Sequence, residues 1–195
     1  ACKGANAVGK TQGIAGIIIW FKLCFRPSII ITTAPSEDQV KKQIWQEIRK
    51  QIKYANEHGA GIDTRGLRPE DPYWSLGPLD YAKGLATNKN ERFKGDHSEH
   101  MLIVLDEGPG VPPWAIDEAE GMCSADHNII AVLGNPMVPA GPYYNLFLPK
   151  TSWSKVTLSA LTHPNVTSGK NIIPGAVSLK RVEAAIKDHC ELLDP

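Results

Sequence analysis

The residues Gly4-Ala5-Asn6-Ala7-Val8-Gly9-Lys10-Thr11 match the pattern G-x-x-x-x-G-K-[ST], whose chemistry is the binding of a nucleoside polyphosphate. The glycines let backbone N–H groups turn inward around phosphate oxygens. Lys10 can reach the β and γ oxygens, and the Thr11 hydroxyl is a candidate ligand for Mg²⁺. A helix starting here directs the positive end of its dipole at the anion. All eight residues are therefore candidate nucleotide contacts.

A second candidate group follows the apolar run Met101–Leu105 (MLIVL), where Asp106 and Glu107 stand side by side. An apolar strand running into two carboxylates has little structural purpose, because unpaired buried charge is costly. Beside a phosphate loop, Asp106 is the expected second anchor for Mg²⁺, and Glu107 is the expected carboxylate that orients the attacking water. The bland alternative is a helix cap with a solvated glutamate. A third group, Gly134-Asn135-Pro136, follows Asn128–Leu133 (NIIAVL). Asn135 is either a sensor of the γ-phosphate or part of an ordinary Asn-Pro turn. Together these groups favour ATP hydrolysis over phosphoryl transfer to a small acceptor. A kinase also needs an Arg-rich lid, and Arg26, Arg49, Arg65, Arg68, Arg92 and Arg181 form no lid cluster.

The elements that must position these groups read as alternating strands and helices. Residues 12–23 form a helix, apolar on nearly all sides and expected to be buried, with Gly13 and Gly16 allowing close approach to a sheet. Ser28–Thr33 (SIIITT) is a buried strand. Ser36 and Gln39 have capping-box spacing at the start of a helix whose stripe is Val40, Ile44, Ile48 and Ile52. Residues 60–80 are loop-like with at most short strands, Tyr81–Thr87 is a strand, and Asn88–His100 is a polar surface turn. Pro112–Gly121 is a helix, Trp153–Ala160 a strand, and Ser178–Leu193 an amphipathic helix. The pattern predicts an α/β fold, a mainly parallel sheet flanked by helices on both faces. In such a sheet ligands bind beyond the carboxyl ends of the strands, where the three groups fall.

Composition narrows the class. Of 195 residues, 21 are Lys or Arg and 21 are Asp or Glu, so the chain is not a basic glove for nucleic acid, although a local patch stays open. Four scattered cysteines without a C-x-x-C pair fit free thiols better than zinc or a disulfide framework. No run of about 20 apolar residues indicates a membrane span. Only Ala1-Cys2-Lys3 precede the loop, and there is no initial Met, so the chain reads as a piece that begins within or just after its first strand.

Several segments together resemble one family. TTAPSEDQVKKQIWQEIRK is similar to the segment after the phosphate loop in large subunits of tailed-phage terminases. FKGDHSEHMLIVLDEGPGVPPWAIDEAEGM is similar to their Asp-Glu block, LGNP to their coupling motif, and LTHPNVTSGKNIIPGAVSLKRVEA to the stretch leading toward their nuclease domain. The order is kept along nearly the whole chain. The resemblance implies the ATPase motor of a DNA-packaging machine, with a RecA-like P-loop NTPase core of the ASCE class. It implies ATP and Mg²⁺ as cofactors, Lys10 and Thr11 on phosphate and metal, Asp106 on metal and Glu107 as catalytic carboxylate. Gly134 and Asn135 would link the γ-phosphate state to domain movement.

The same resemblance implies double-stranded DNA, a portal protein and a terminase small subunit as partners, a homo-oligomeric ring when active, and the host-cell cytoplasm as location. In such a ring one subunit supplies an arginine finger to the next, and Arg92 is the nominated finger. It divides the chain into a motor domain over 1–177 and a helix over 178–195 that leads toward an absent nuclease domain. The adenine-contacting segment upstream of the loop is also absent, so the piece is expected to hydrolyse ATP weakly by itself and not to cut DNA. Gly108 departs from the Ala usual after the Asp-Glu pair.

Remaining readings stay open. His97 touches DNA or a neighbouring subunit, or is a surface-turn histidine. Lys83, Lys89, Arg92 and Lys94 form a local basic stretch whose default is a solvated face. Trp45 reads as core, and Trp74 as either core or a base-stacking platform. Other functions compatible with the loop are a helicase-like ATPase and a nucleotide-gated docking module with little turnover.

Overall fold

In the computed structural model, which describes residues 1–87 and 95–190, strand β1 (Cys2–Gly4) runs directly into the phosphate loop and ends on its first glycine. It lies parallel between β6 (His127–Gly134) and β7 (Val156–Leu158). The other strands are β2 (Ser28–Ala34), the hairpin β3 (Tyr73–Gly77) and β4 (Asp80–Ala86), and β5 (His100–Leu105). They form one seven-stranded sheet in the order β3-β4-β2-β5-β6-β1-β7. Only the edge strand β3 is antiparallel to its neighbour. β6 stands between the loop strand β1 and the carboxylate strand β5.

Helices cover both faces, as the apolar strands require. On one face α1 (Lys10–Cys24), α2 (Glu37–Lys42) and α3 (Ile44–Glu57) bury Ile14, Ile18, Val40, Ile44, Ile48 and Ile52 against Ile30, Leu102 and Val104. On the other, α4 (Pro113–Met122) and α5 (Pro142–Asn145) cover Ile29, Met101, Ile103 and Leu105. Successive β5 residues thus serve opposite cores, the period-two rule of a strand. α6 (Pro164–Ser168) and α7 (Leu179–Cys190) follow β7, and Val166, Val177 and Val182 form a small third cluster with Val8 of the loop.

Several local expectations change. The single helix expected after Ser36 is two, broken at Gln43 (φ −98°, ψ −87°). Ser36 does cap the first, its hydroxyl accepting from the Gln39 N–H at 3.3 Å. The strand expected over Trp153–Ala160 contracts to Val156–Leu158. α1 is not buried all round: Ile17, Trp20 and Leu23 are exposed. Gly13 has nothing near it, and Gly16 faces Gln51 of α3 rather than the sheet. On α7, Val182 is buried and Ile186 is exposed, so the helix expected to be amphipathic is covered near its start, and residues 191–193 of that expectation lie outside the described residues.

Lys22, read as part of an apolar helix, is fully buried and ion-paired with Asp80 at the start of β4. Asp80 also accepts from Arg26 Nε at 2.7 Å and from the Ser28 N–H at 3.3 Å. Burial pulls the Lys22 pKa down, and the two cations and the backbone N–H hold the Asp80 carboxyl below its ordinary value against its own burial. Trp45 and Trp74 are both fully buried, so Trp74 is core and not a stacking platform. Trp45 donates to Thr32 Oγ1 at 2.8 Å.

Candidate active site

The carboxyl ends of β1, β5 and β6 meet at one edge of the sheet, and the three sequence-identified groups converge there. They line a cleft of about 640 Å³ that includes Lys10, Thr11, Asp106, Glu107, Gly134 and Asn135. Asn6, Ala7 and Gly9 of the loop line it as well. Ala7 (φ 57°) and Gly9 (φ 90°) both take left-handed backbone, which turns the loop around its own centre. Gly4 closes β1, and the Ala5 N–H donates to the Leu158 carbonyl at 3.2 Å. The loop is thereby fastened to β7.

The Lys10 ammonium stands at the centre of this arrangement. It donates to the carbonyls of Gly4 (3.1 Å) and Ala5 (2.6 Å) and to Asn135 Oδ1 (2.6 Å). The other end of the same amide, Asn135 Nδ2, donates to Asn6 Oδ1 at 2.6 Å. Asn135 therefore spans the loop from β6 and is not a free turn residue. Burial lowers the Lys10 pKa, and the carboxylates of Glu107 and Asp106 oppose that shift.

Asp106 directly follows β5 and is 7% exposed. Its N–H donates to the Thr33 carbonyl of β2, and its Oδ1 accepts from the Glu107 N–H, both at 2.9 Å. Burial, ahead of the nearby Glu107 charge, pushes its pKa up to about 6, with the Glu107 N–H and Lys10 acting in the opposite direction. Glu107 is left-handed (φ 54°, ψ 48°), a conformation that costs a residue with a Cβ about 1–2 kcal/mol. Such strain is retained where the surroundings over-determine it, most often at functional sites.

The turn that follows explains why glycine stands at 108. A Cβ there would lie 2.3 Å from the Tyr143 ring. A Cβ at Gly134 would lie 2.6 Å from Pro109 and 3.0 Å from the Gly108 nitrogen. The end of β6 thus presses directly onto the carboxylate turn, with no side chain between them.

Sequence reasoning missed two walls of the cleft. Gln43, Gln46, Glu47 and Lys50 line it from the α2–α3 break and α3. Their three- and four-residue spacing marks one helical face, the face opposite the apolar stripe. The other wall is Ile173–Ala176. Asn165 clasps this segment, accepting from the Ile173 N–H (2.7 Å) and donating to the Ile173 carbonyl (2.9 Å). The Val177 N–H then donates to the Ala7 carbonyl at 3.0 Å.

Two other candidates, His97 and Lys83, do not join the site. His97 is exposed and does not line the cleft. Lys83 is paired with Asp96, which also accepts from the Tyr81 hydroxyl, so it is not a free cation for DNA. Arg92, Lys89 and Lys94 lie outside the described residues. Among the described residues, no group of three or more His, Cys, Asp or Glu side chains is placed to hold a metal alone. No helix among them is long and apolar enough to cross a membrane.

No family model matches this chain. Over 148 residues it is 24% identical to "Probable terminase, large subunit" of Enterobacteria phage P7, covering 72% of this chain and 29% of that protein. Its fold is similar to the large terminase of a thermophilic bacteriophage, with a TM-score of 0.64 at 16% identity, covering 81% of this chain and 39% of the other. A structure of that same large terminase in complex with ADP gives the same TM-score at 17% identity, with the same coverage. The Thermus phage P74-26 large terminase ATPase domain gives a TM-score of 0.60 at 15% identity, covering 82% and 74%. At these identities the likeness to solved structures is one of fold, the RecA-like fold of large terminase ATPase domains. The chain spans 29% of the length of the curated relative it matches.

Proposed function

We propose that this chain is the ATP-hydrolysing motor of a phage terminase large subunit, and that the energy drives double-stranded DNA into a capsid. The observation that carries the reading is the junction of Lys10 with Asn135 at 2.6 Å in a cleft shared with Asp106 and Glu107. A lysine for phosphate, a carboxylate pair and an amide on a separate strand are what hydrolysis of a γ-phosphate needs. The similarity to a phage P7 terminase large subunit and to an ADP-bound phage terminase structure supports the same assignment.

Phosphates bind in the loop over 4–11, where inward backbone N–H groups and the α1 N-terminus favour anions. Lys10 exchanges the Gly4 and Ala5 carbonyls for β and γ oxygens, a stronger charge-assisted contact. Glu107 orients the attacking water and accepts its proton as the water oxygen bonds to the γ-phosphorus and the bond from that phosphorus to the β-phosphate oxygen breaks, leaving ADP and inorganic phosphate. Asn135 loses or changes its bond to Lys10 when the γ-phosphate arrives, and through Gly134 this alters β6. Motion of β6 relative to β1 is the first mechanical event.

The residues fit Mg²⁺. Asp106 is a carboxylate whose burial pushes its pKa up to about 6, and Thr11 shares its cleft. With no all-protein cage among the described residues, the ion would be held by Thr11, Asp106 and phosphate oxygens together, as is usual for Mg²⁺. When bound, it neutralises charge that develops on the phosphate oxygens.

Arg92 is the proposed finger supplied to a neighbouring subunit in a homo-oligomeric ring. DNA, a portal protein and a small subunit are the proposed partners, in the host-cell cytoplasm. Residues 1–177 form the motor, and 178–195 lead toward a nuclease domain. The test of the ATPase assignment is Glu107→Gln, assayed for ATP binding and phosphate release. ATP affinity should stay within a few-fold while turnover falls by about 100-fold or more. Near-normal turnover in this variant would remove the assigned role.

A further inference from the structure

Tyr143 lies on α5, in the segment between β6 and β7, far in sequence from the phosphate loop and the carboxylate pair. It is 6% exposed. Its hydroxyl hydrogen is shared between the carbonyls of Cys2 (2.7 Å) and Gly134 (2.9 Å). These carbonyls belong to β1 and β6, neighbouring strands in parallel register, with Cys2 beside Leu133 and Lys3 beside Gly134. Its ring covers Gly108, where a Cβ would lie 2.3 Å away. Phe147 meets the ring edge-on, with centroids 5.2 Å apart.

The placement of these contacts is specific. Gly108 directly follows Glu107, Gly134 directly precedes Asn135, and Cys2 lies two residues before the loop begins. One side chain therefore touches the backbone beside the carboxylate, beside the amide and beneath the loop. A buried phenol needs a partner for its hydroxyl, but a single carbonyl would satisfy it. Sharing one hydrogen between two strand ends fixes their relative height.

The geometry points to Tyr143 as a positioning residue for ATP hydrolysis: it sets Glu107 and Asn135 against the loop that carries Lys10. Its side chain does not line the cleft. This inference rests on the ATPase reading. It accounts for glycine at 108, because the ring occupies the space an alanine methyl would take.

The test is Tyr143→Phe, which keeps the ring and removes the hydroxyl, with Phe147→Leu as a packing control against the same ring. In Tyr143→Phe, kcat should fall about ten-fold, the loss of one well-placed hydrogen bond, while KM for ATP stays within two-fold. In the nucleotide-free chain, amide exchange at Gly108, Gly134 and Asn135 should quicken while Ile103 inside β5 is unchanged. Phe147→Leu should lower Tm and leave kcat and those amides alone. Unchanged kcat and exchange in Tyr143→Phe would overturn the proposal. A parallel loss of kcat, KM and Tm, matched by Phe147→Leu, would also overturn it and leave a packing role. A parent chain that binds ATP without any turnover would count against the ATPase reading, and the exchange measurement would then decide the positioning role by itself.

Discussion

Lys10 and Asn135, 125 residues apart in sequence, are joined by a hydrogen bond of 2.6 Å across the mouth of the phosphate loop. In the proposed reading the nucleotide competes for this bond. A γ-phosphate would take the Lys10 ammonium at least in part from Asn135, so substrate arrival would be registered on β6 before any bond to phosphorus changes. This differs from a lysine held only by its own loop, which would report nothing to a neighbouring strand.

Replacing Asn135 by Ala removes this link and also frees Asn6. Lys10 keeps its two loop carbonyls, so ATP binding should be retained within a few-fold. Turnover should fall by about ten-fold or more, since the loss falls on interactions formed on the way to the transition state. Lys10→Ala should instead abolish measurable ATP binding. Equilibrium binding of ATP alongside steady-state phosphate release separates the two, and equal loss of affinity in both variants would contradict the linkage.

Glu107 sets function against stability. Its left-handed backbone suits glycine, so Glu107→Gly should raise the unfolding free energy by about 1 kcal/mol while removing hydrolysis. Urea unfolding of the parent and the variant measures this directly. A variant less stable than the parent would mean that Glu107 makes contacts outweighing its strain.

How far these features are legible in the sequence depends on their range. The loop, the strand before Asp106-Glu107 and the strand before Asn135 are visible because each is written in consecutive residues. The parallel sheet follows from fully apolar strands, which alternation on one wet face would not give. Apolarity overstates the burial of α1, because it says that a surface can be covered and not that something covers it. Ile17, Trp20 and Leu23 stay exposed. Tyr143 and the Ile173–Ala176 wall leave no local signal, since their places at the site come from tertiary contacts: Tyr143 with Cys2, Gly134 and Gly108, and the wall through Asn165 and the Val177–Ala7 bond. The α3 wall does leave one, the Gln43–Gln46–Lys50 spacing, hidden behind a stronger apolar stripe.

Asp106 gives a pH dependence of defined sign. Its folded pKa is about 6, above the ordinary 3.8, so the folded state binds the proton more tightly than the unfolded chain. The associated stability is fully present below pH 3.8 and is lost as pH rises through about 6. Over that window the metal-free protein should lose about 3 kcal/mol from this group. Asp106→Asn should therefore match the parent near pH 4 and exceed it at pH 7.5, both measured by urea unfolding in EDTA. In the same variant, adding Mg²⁺ should no longer raise Tm beyond the value with ATP alone. Identical pH profiles for parent and variant would refute the buried-carboxylate account.

The buried Lys22–Asp80 pair yields a prediction about stability alone. It lies at the opposite end of β4 from the cleft, since Asp80 begins that strand and Ala86 ends it alongside Ala34. Asp80→Ala leaves the Lys22 ammonium buried with no counter-charge. Breaking such a pair from one side costs about 3–5 kcal/mol, which should appear as a large drop in the urea midpoint with little change in slope. Replacing both partners with apolar residues, as in Lys22→Met with Asp80→Leu, should recover much of that loss, because desolvation of two charges is then no longer required. Recovery is expected to be incomplete: Asp80 also serves Arg26 and the Ser28 N–H, and an apolar residue leaves that buried N–H without its acceptor. ATP affinity at the loop should follow the folded fraction and nothing else. A change in affinity of the fully folded double variant would show that this pair communicates with the nucleotide cleft through β2 and β5.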